Sequence, residues 1–173
     1  MMREILVVDG YNMIHDWPPL QKQLEVSLAS ARDALVDMLE DWRGYTGVPV
    51  MVVFDAHQVP GGEVEDFSPG RVNVVFTREM KTADSYIERM VDELENQRVT
   101  VKVATSDGAE QSLILSRGAV RMSARELYED YVRLRKRKMA QLSSRVARDH
   151  ALEGRLPEHV REKLEQMRRN NGQ

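Results

Sequence analysis

A chain of 173 residues, 42% hydrophobic and 31% charged, is long enough to bury one sizeable core and too apolar for a disordered segment. It holds no cysteine, which excludes disulfides, thiolate metal sites and a cysteine nucleophile and makes the reducing cytoplasm the simplest home. The net charge of −3 hides an asymmetry: residues 1–116 carry 10 Lys and Arg against 20 Asp and Glu, whereas residues 117–173 carry 15 against 8.

In chain order, residues 4–9 read as a short buried strand. Ile5 to Val8 ask for complete burial, and the run stops at Asp9, followed by Gly10-Tyr11-Asn12, which reads as a turn. The apolar residues before Asp9 are too few for a signal-peptide core or a membrane span, so no membrane association is expected. Residues 20–43 read as one long amphipathic helix, with Leu20, Leu24, Leu28, Ala31, Leu35, Met38 and Trp42 three or four apart; Gly44 and Gly47 end it. Residues 48–56 are a second apolar strand, again ending on an aspartate, Asp55. Residues 57–70 have the Pro and Gly content of a loop, and His57, Gly61 and Gly62 would let it close over a substrate.

Residues 71–77 form a third strand, and residues 81–97 a helix with Ala83, Ile87, Met90, Val91 and Leu94 on one face. A fourth strand, 99–107, ends on Asp107. A short helix and a fifth strand, 119–122, follow. From Ser123 onward the pattern is helical, broken at Gly154 and Pro157, with a last helix to about Arg169. The strand–helix alternation stops near residue 122, which separates an expected core, 1–122, from a basic helical extension of the same domain, 123–173.

Alternating strands and helices predict an α/β fold with a mainly parallel sheet of about five strands and helices on both faces. Ligands of such sheets bind outside the carboxyl ends of the strands, where the strand order reverses. Asp9, Asp55 and Asp107 each end a predicted strand and therefore share that edge. One such aspartate is ordinary turn or capping chemistry; three together repel one another unless a cation neutralises them. Asp84 adds a fourth, in the first turn of a helix, where dipole stabilisation is the plainer reading. Glu88, four residues on, shares its face and reads equally as a solvated charge.

Carboxylate oxygens are hard ligands suited to Mg²⁺ or Mn²⁺, and paired ions of this kind activate water and stabilise the leaving oxygen of a phosphodiester. His15, His57, His150 and His159 are too scattered for a zinc-protease motif. No phosphate-binding P-loop or dinucleotide fingerprint occurs.

The stretches "LVVDGYNMI", "VVFDAH", "TADSYIE", "VATSDGAEQ" and "SARELYEDY", in this order over roughly residues 4–135, resemble the YacP-like branch of the NYN-domain ribonucleases, within the PIN-like nuclease superfamily. The resemblance implies a PIN-like three-layer sandwich and a Mg²⁺- or Mn²⁺-dependent endoribonuclease cutting single-stranded messenger RNA, in association with the ribosome. It implies Asp9, Asp84 and Asp107 as catalytic metal ligands, with Asn12 shaping the turn beside Asp9. Thr105 and Ser106 support the last site, and Asp55 is a ligand or a supporting group. Glu88 is the weakest ligand candidate. Gly10 would leave room for substrate or a metal-bound water, and Tyr11 would pack or stack on a base.

"RLRKRK", residues 133–138, is the densest basic run, following the apolar stripe Leu127, Tyr128, Tyr131 and Leu134. Arg133, Arg135, Lys136, Arg137 and Lys138 form either a solvated helix face or a set of RNA phosphate contacts. Arg71, Arg78 and Lys81 would flank the acidic edge. Two rivals stand beside the endoribonuclease: an RNA- or ribosome-binding module with weak catalysis, and a structure-specific DNA nuclease.

Overall fold

A computed structural model describes residues 3–55, 64–66, 70–78, 81–155 and 157–170. The chain opens with strand β1 (Arg3–Asp9) and helices α1 (Gly10–Asp16), α2 (Pro18–Val26) and α3 (Leu28–Thr46). Strands β2 (Val50–Phe54), β3 (Val64–Asp66) and β4 (Asn73–Phe76) follow, then α4 (Ala83–Glu95), β5 (Val99–Ala104), α5 (Gly108–Ser116) and β6 (Val120–Met122). Two helices, α6 (Ala124–Glu153) and α7 (Glu158–Asn170), end it.

Among the described residues the strands form one sheet in the order β3-β4-β2-β1-β5-β6. All neighbours are parallel except β3, which runs antiparallel along the β4 edge. β1 is central, with Leu6, Val7 and Val8 fully buried, because helices cover both of its faces and leave it no polar side. Leu6, Val8, Val50, Val52 and Phe54 pack toward Leu20, Ala31, Leu35 and Leu39 of α2 and α3. The alternating partners Val7, Met51 and Val53 pack toward Ala83, Ile87 and Val91 of α4 and Ile114 of α5. From β1 the chain builds outward through β2 and β4, then crosses back to add β5 and β6 on the other side. The order therefore reverses between β1 and β5, and a crevice opens at their carboxyl ends.

The start of α6 belongs to this core. Ala124, Leu127 and Tyr131 are buried in it. Trp17 Nε1 donates to the Ala124 carbonyl at 2.9 Å, and Trp42 Nε1 donates to Asp130 Oδ2 at 2.8 Å. The chain divides into compact units 1–135 and 136–173, so the first unit runs past the boundary expected at 122, through the buried turns of α6. In the second unit, Met139, Leu142, Val146, Leu164 and Met167 are exposed. No helix among the described residues is long and apolar enough to cross a membrane.

Three local readings change. The expected turn after Asp9 is helix α1, which begins at Gly10. The expected single helix over 20–43 is interrupted at Ser27, whose extended backbone (φ −168°, ψ 159°) ends α2 while its hydroxyl accepts the Ser30 N–H at 3.0 Å and caps α3. Within the expected loop 57–70, residues 64–66 form β3, which pairs with β4; His57, Gly61 and Gly62 lie outside the described residues.

Candidate active site

Asp9 ends β1 and is also the N-cap of α1, its extended backbone (φ −75°, ψ 104°) letting Oδ1 accept the Asn12 N–H at 3.4 Å. Asn12, one turn into the helix, then reaches back. Its Nδ2 donates to Asp9 Oδ2 at 2.5 Å and to Thr105 Oγ1 at 3.3 Å, and its Oδ1 accepts from Ser106 Oγ at 2.6 Å. One amide thus ties the end of β1 to the segment after β5, across the point where the strand order reverses. Thr105 is fully buried; its own N–H donates to the Met122 carbonyl at 3.1 Å, and its carbonyl accepts from Gln111 Nε2 at 2.8 Å. The grip on Asn12 is therefore anchored to β6 and α5.

A cleft of about 320 Å³ opens at this edge, lined by Asp9, Tyr11, Asn12, His15, Asp55, Thr82, Ala83 and Asp84. Asp55 follows β2 directly. Asp84 stands in the first turn of α4, whose N-cap Thr82 accepts the Ser85 N–H at 3.2 Å. The amino ends of α1 and α4 both bear on the cleft, and the positive ends of their dipoles favour negative charge there.

Those helix ends do not fully offset the crowding. Asp9 is only 5% exposed, and burial, with added repulsion from Asp84 and Asp55, raises its pKa from 3.8 to about 6 against the lowering effect of the Asn12 hydrogen bonds. A buried carboxylate facing two others fits a divalent cation. Among the described residues no three His, Asp or Glu side chains converge as a ready-made metal cage.

The other expected site residues divide. Asp107 is exposed and does not line the cleft; its Oδ1 accepts the Ala109 N–H at 2.8 Å at the start of α5, and its N–H donates to Thr105 Oγ1 at 3.1 Å. Glu88 is also outside it. Arg117 Nη2 lies 3.5 Å from Glu88 Oε2 while Nη1 pairs with Asp92, so the second turn of α4 is tied to the end of α5 instead. Gly10 has a different reason from the one expected: a Cβ there would lie 2.3 Å from Phe54 Cε1, so the missing side chain makes room for a core ring. Tyr11 packs its ring 5.2 Å from the same Phe54.

Arg78 and Lys81 are exposed between β4 and α4, and the Lys81 N–H donates to the Arg78 carbonyl at 3.0 Å. Lys81 is next to Thr82 of the cleft wall. Arg71 instead lies 3.9 Å from Glu40. Arg133 pairs with Asp130, the same carboxylate that receives Trp42. Arg135, Lys136, Arg137 and Lys138 are exposed on α6. His15 and Arg32 escaped the sequence reading. His15 lies three residues after Asn12 and four after Tyr11, on one face of helix α1, where the sequence suggests a turn. Arg32 donates from Nη1 to Tyr11 Oη at 3.3 Å, a contact that no spacing announces.

The sequence profile of the YacP-like NYN domain matches residues 6–169. The uncharacterized protein YacP of Bacillus subtilis (strain 168) is 40% identical over 168 residues, covering 97% of this chain and 98% of the relative. A crystal structure of Rae1 (YacP) from Bacillus subtilis superposes with a TM-score of 0.70 at 40% identity, over 96% of this chain and 95% of that one. That of a point mutant of Rae1 gives 0.69 at 36% identity, over 95% and 99%.

Proposed function

This chain belongs to the YacP-like NYN domain family, and on that premise we propose that it is a metal-dependent endoribonuclease whose site is the cleft at the β1–β5 switch point. The observation that carries the reading is Asp9: a buried strand-end carboxylate whose proton affinity is raised by burial and by two facing carboxylates, Asp84 and Asp55. These three residues would hold Mg²⁺ or Mn²⁺. When bound, such an ion supplies an activated water and the positive charge that offsets the developing charge at phosphorus.

The remaining roles fall to the chain itself. Asn12 fixes the Asp9 carboxylate through Oδ2, and Thr105 with Ser106 fix Asn12. Asp107 acts at one remove: it stiffens the turn that carries Thr105 and Ser106 and holds the start of α5. It is a positioning residue in this reading. Arg78 and Lys81 offer charge to RNA phosphates at the cleft rim, and Arg135, Lys136, Arg137 and Lys138 offer it on α6. The substrate class is single-stranded RNA, with messenger RNA on the ribosome as the cytoplasmic setting that the family resemblance favours. A second reading, an RNA- or ribosome-binding module that cleaves weakly, draws support from the absence of a tight three-ligand group among the described residues.

Labelled single-stranded RNA and DNA incubated with purified protein, in Mg²⁺, Mn²⁺, Ca²⁺ or EDTA and with or without ribosomes, separates these readings. The expected result is RNA cleavage in Mg²⁺ or Mn²⁺ alone. Ca²⁺ should not support it, because its irregular coordination positions an attacking water poorly. RNA bound but never cut, even on ribosomes, selects the binding module; preferential cutting of DNA selects a DNA nuclease.

A further inference from the structure

The wall of the cleft does not stop at the carboxylates. Phe54 and Phe76 stand side by side at the carboxyl ends of β2 and β4, in register, with ring centroids 5.3 Å apart. Tyr11 packs on Phe54 from the cleft side. Arg32, half-buried on α3, closes the circuit: its guanidinium carbon lies 5.7 Å from the Phe76 ring centroid, and Nη1 donates to Tyr11 Oη. Among the described residues no carboxylate forms an ion pair with Arg32. A half-buried arginine is costly to place, and its usual compensation is an acidic partner. Among the described residues the compensation is a phenol and an aromatic face, both weak partners for a full charge.

We propose that Arg32 and Tyr11 form a phosphate-binding subsite for the RNA backbone, on the β2–β4 side of the cleft, beside the carboxylates that carry the chemistry. The inference rests on the endoribonuclease reading and adds the direction in which the strand leaves the site. Tyr11 Oη accepts from Arg32, so its own hydrogen is free to point away from the guanidinium and donate to a non-bridging phosphate oxygen. The positive charge behind it strengthens that donor. The remaining guanidinium N–H groups supply a second, charge-assisted contact in the fork geometry that suits phosphate. The subsite also answers an electrostatic need. Asp9, Asp55 and Asp84 repel a polyanion, and a fixed cation one hydrogen bond from the cleft wall offsets that repulsion for the nucleotide next to the cut.

The test is a binding titration of a single-stranded RNA oligonucleotide in EDTA at several salt concentrations, with wild type, Arg32→Gln, Arg32→Lys and Tyr11→Phe. Arg32→Gln should weaken binding about tenfold, the effect of one lost charge-assisted hydrogen bond, and flatten the salt dependence by a slope of about 0.7. Arg32→Lys should keep the slope but not recover the full affinity, because an ammonium lacks the planar fork. Tyr11→Phe should lower affinity about threefold with the slope unchanged. Under cleavage conditions these losses should appear in KM rather than in kcat. Equal affinity and equal slope for wild type and Arg32→Gln, with a lower melting temperature in the variant, would make Arg32 a packing residue and overturn the subsite. Should Arg32→Gln not fold, unchanged RNA affinity in Tyr11→Phe overturns it instead. Folded wild-type protein that binds no RNA in EDTA or in Ca²⁺, and cuts none in Mg²⁺ or Mn²⁺ even with ribosomes, defeats the endoribonuclease reading and the subsite with it, an outcome distinct from binding that is indifferent to Arg32.

Discussion

The cleft and the basic run on α6 carry charge in opposite ways. Asp9 is buried, caps a helix, and shares its space with Asn12, Asp55 and Asp84. Arg135, Lys136, Arg137 and Lys138 are exposed on the surface of their helix. A buried charge is coupled to everything near it, so one substitution moves stability, proton affinity and activity together. Solvated charges act independently, and removing them subtracts contacts one at a time. The acidic and basic portions of the chain are therefore built for different work, and they should fail differently: the first abruptly, the second by degrees.

Asp9→Asn should give the largest effect. It removes the buried carboxylate from the site, and a loss of several kcal/mol of transition-state stabilisation corresponds to a fall in RNA cleavage on the order of 10³-fold. Stability should move the other way. Asn is also a good N-cap, and although its single oxygen accepts only one of the two Asn12 donors, the buried charge is gone. Below about pH 4 the Asp9 carboxyl is protonated in both folded and unfolded chains and burial costs no charge. As pH rises from there toward about 6, the unfolded chain ionises first, so the wild type loses stability. Above about 6 the folded chain carries the whole cost, at most about 3 kcal/mol for a shift of this size. Urea unfolding of the metal-free proteins should thus find Asp9→Asn more stable than wild type at pH 8 and equal to it at pH 4. A variant that cleaves at the wild-type rate, or a stability gain independent of pH, breaks the account of a coupled site.

Asn12→Ala sharpens the same contrast at a smaller scale. It leaves all the carboxylates in place but releases Asp9 from Thr105 and Ser106, and a supporting contact of this kind is worth roughly 10- to 100-fold in activity. The side-chain hydrogen bond that lowers the Asp9 pKa also disappears. The acid limb of the pH–rate profile should therefore move to higher pH. A fall in rate with an unmoved limb would make Asn12 a general fold element rather than the support of Asp9.

Gly10→Ala concerns packing alone. The new methyl meets the Phe54 ring at 2.3 Å, and forcing a group into a filled core costs about 1–3 kcal/mol. The loss is measured by urea unfolding and should be partly recovered in Gly10→Ala combined with Phe54→Leu. If single and double variants are equally destabilised, the crowding does not run through the ring.

The sheet and its acidic edge were legible because burial writes itself into local sequence. Ile5 to Val8 can only be a covered strand, and Asp9, Asp55 and Asp84 reach one cleft once the strands are parallel. What stayed hidden depends on partners distant in sequence or on competing local signals. Gly10-Tyr11-Asn12 has turn composition, yet Asp9 caps a helix there, and with that helix His15 comes onto the cleft face. Leu24 and Leu28 keep helical spacing across Ser27, so the break at Ser27 was masked by the very pattern that finds helices. Glu88 shares a face with Asp84 but is claimed by Arg117, and Arg32 on a charged helix looks like any solvated arginine until Tyr11 is found beside it.

Replacing Arg135, Lys136, Arg137 and Lys138 together with Gln should have the smallest effect on catalysis and the clearest effect on binding. All four side chains are exposed, and Arg135 also hydrogen-bonds the phenol of buried Tyr131, so the melting temperature should fall only slightly. They are permanently or strongly cationic and cannot serve as ligands to a metal, so metal affinity should also hold. If they contact RNA phosphates, each lost contact flattens the logarithmic salt dependence of binding by about 0.7, up to about 3 for the set. Cleavage at saturating RNA should survive, because the carboxylates and Asn12 are untouched, whereas cleavage at low RNA should fall with affinity. The measurement is a binding titration on RNA and on ribosomes at several salt concentrations, alongside kcat at saturation. Unchanged affinity and slope on both would reduce the run to a solvated helix face, and the charge asymmetry would then need another cause. A fall in kcat at saturation would break the contrast from the other side, since it would mean that these exposed charges act on the chemistry and not only on the grip.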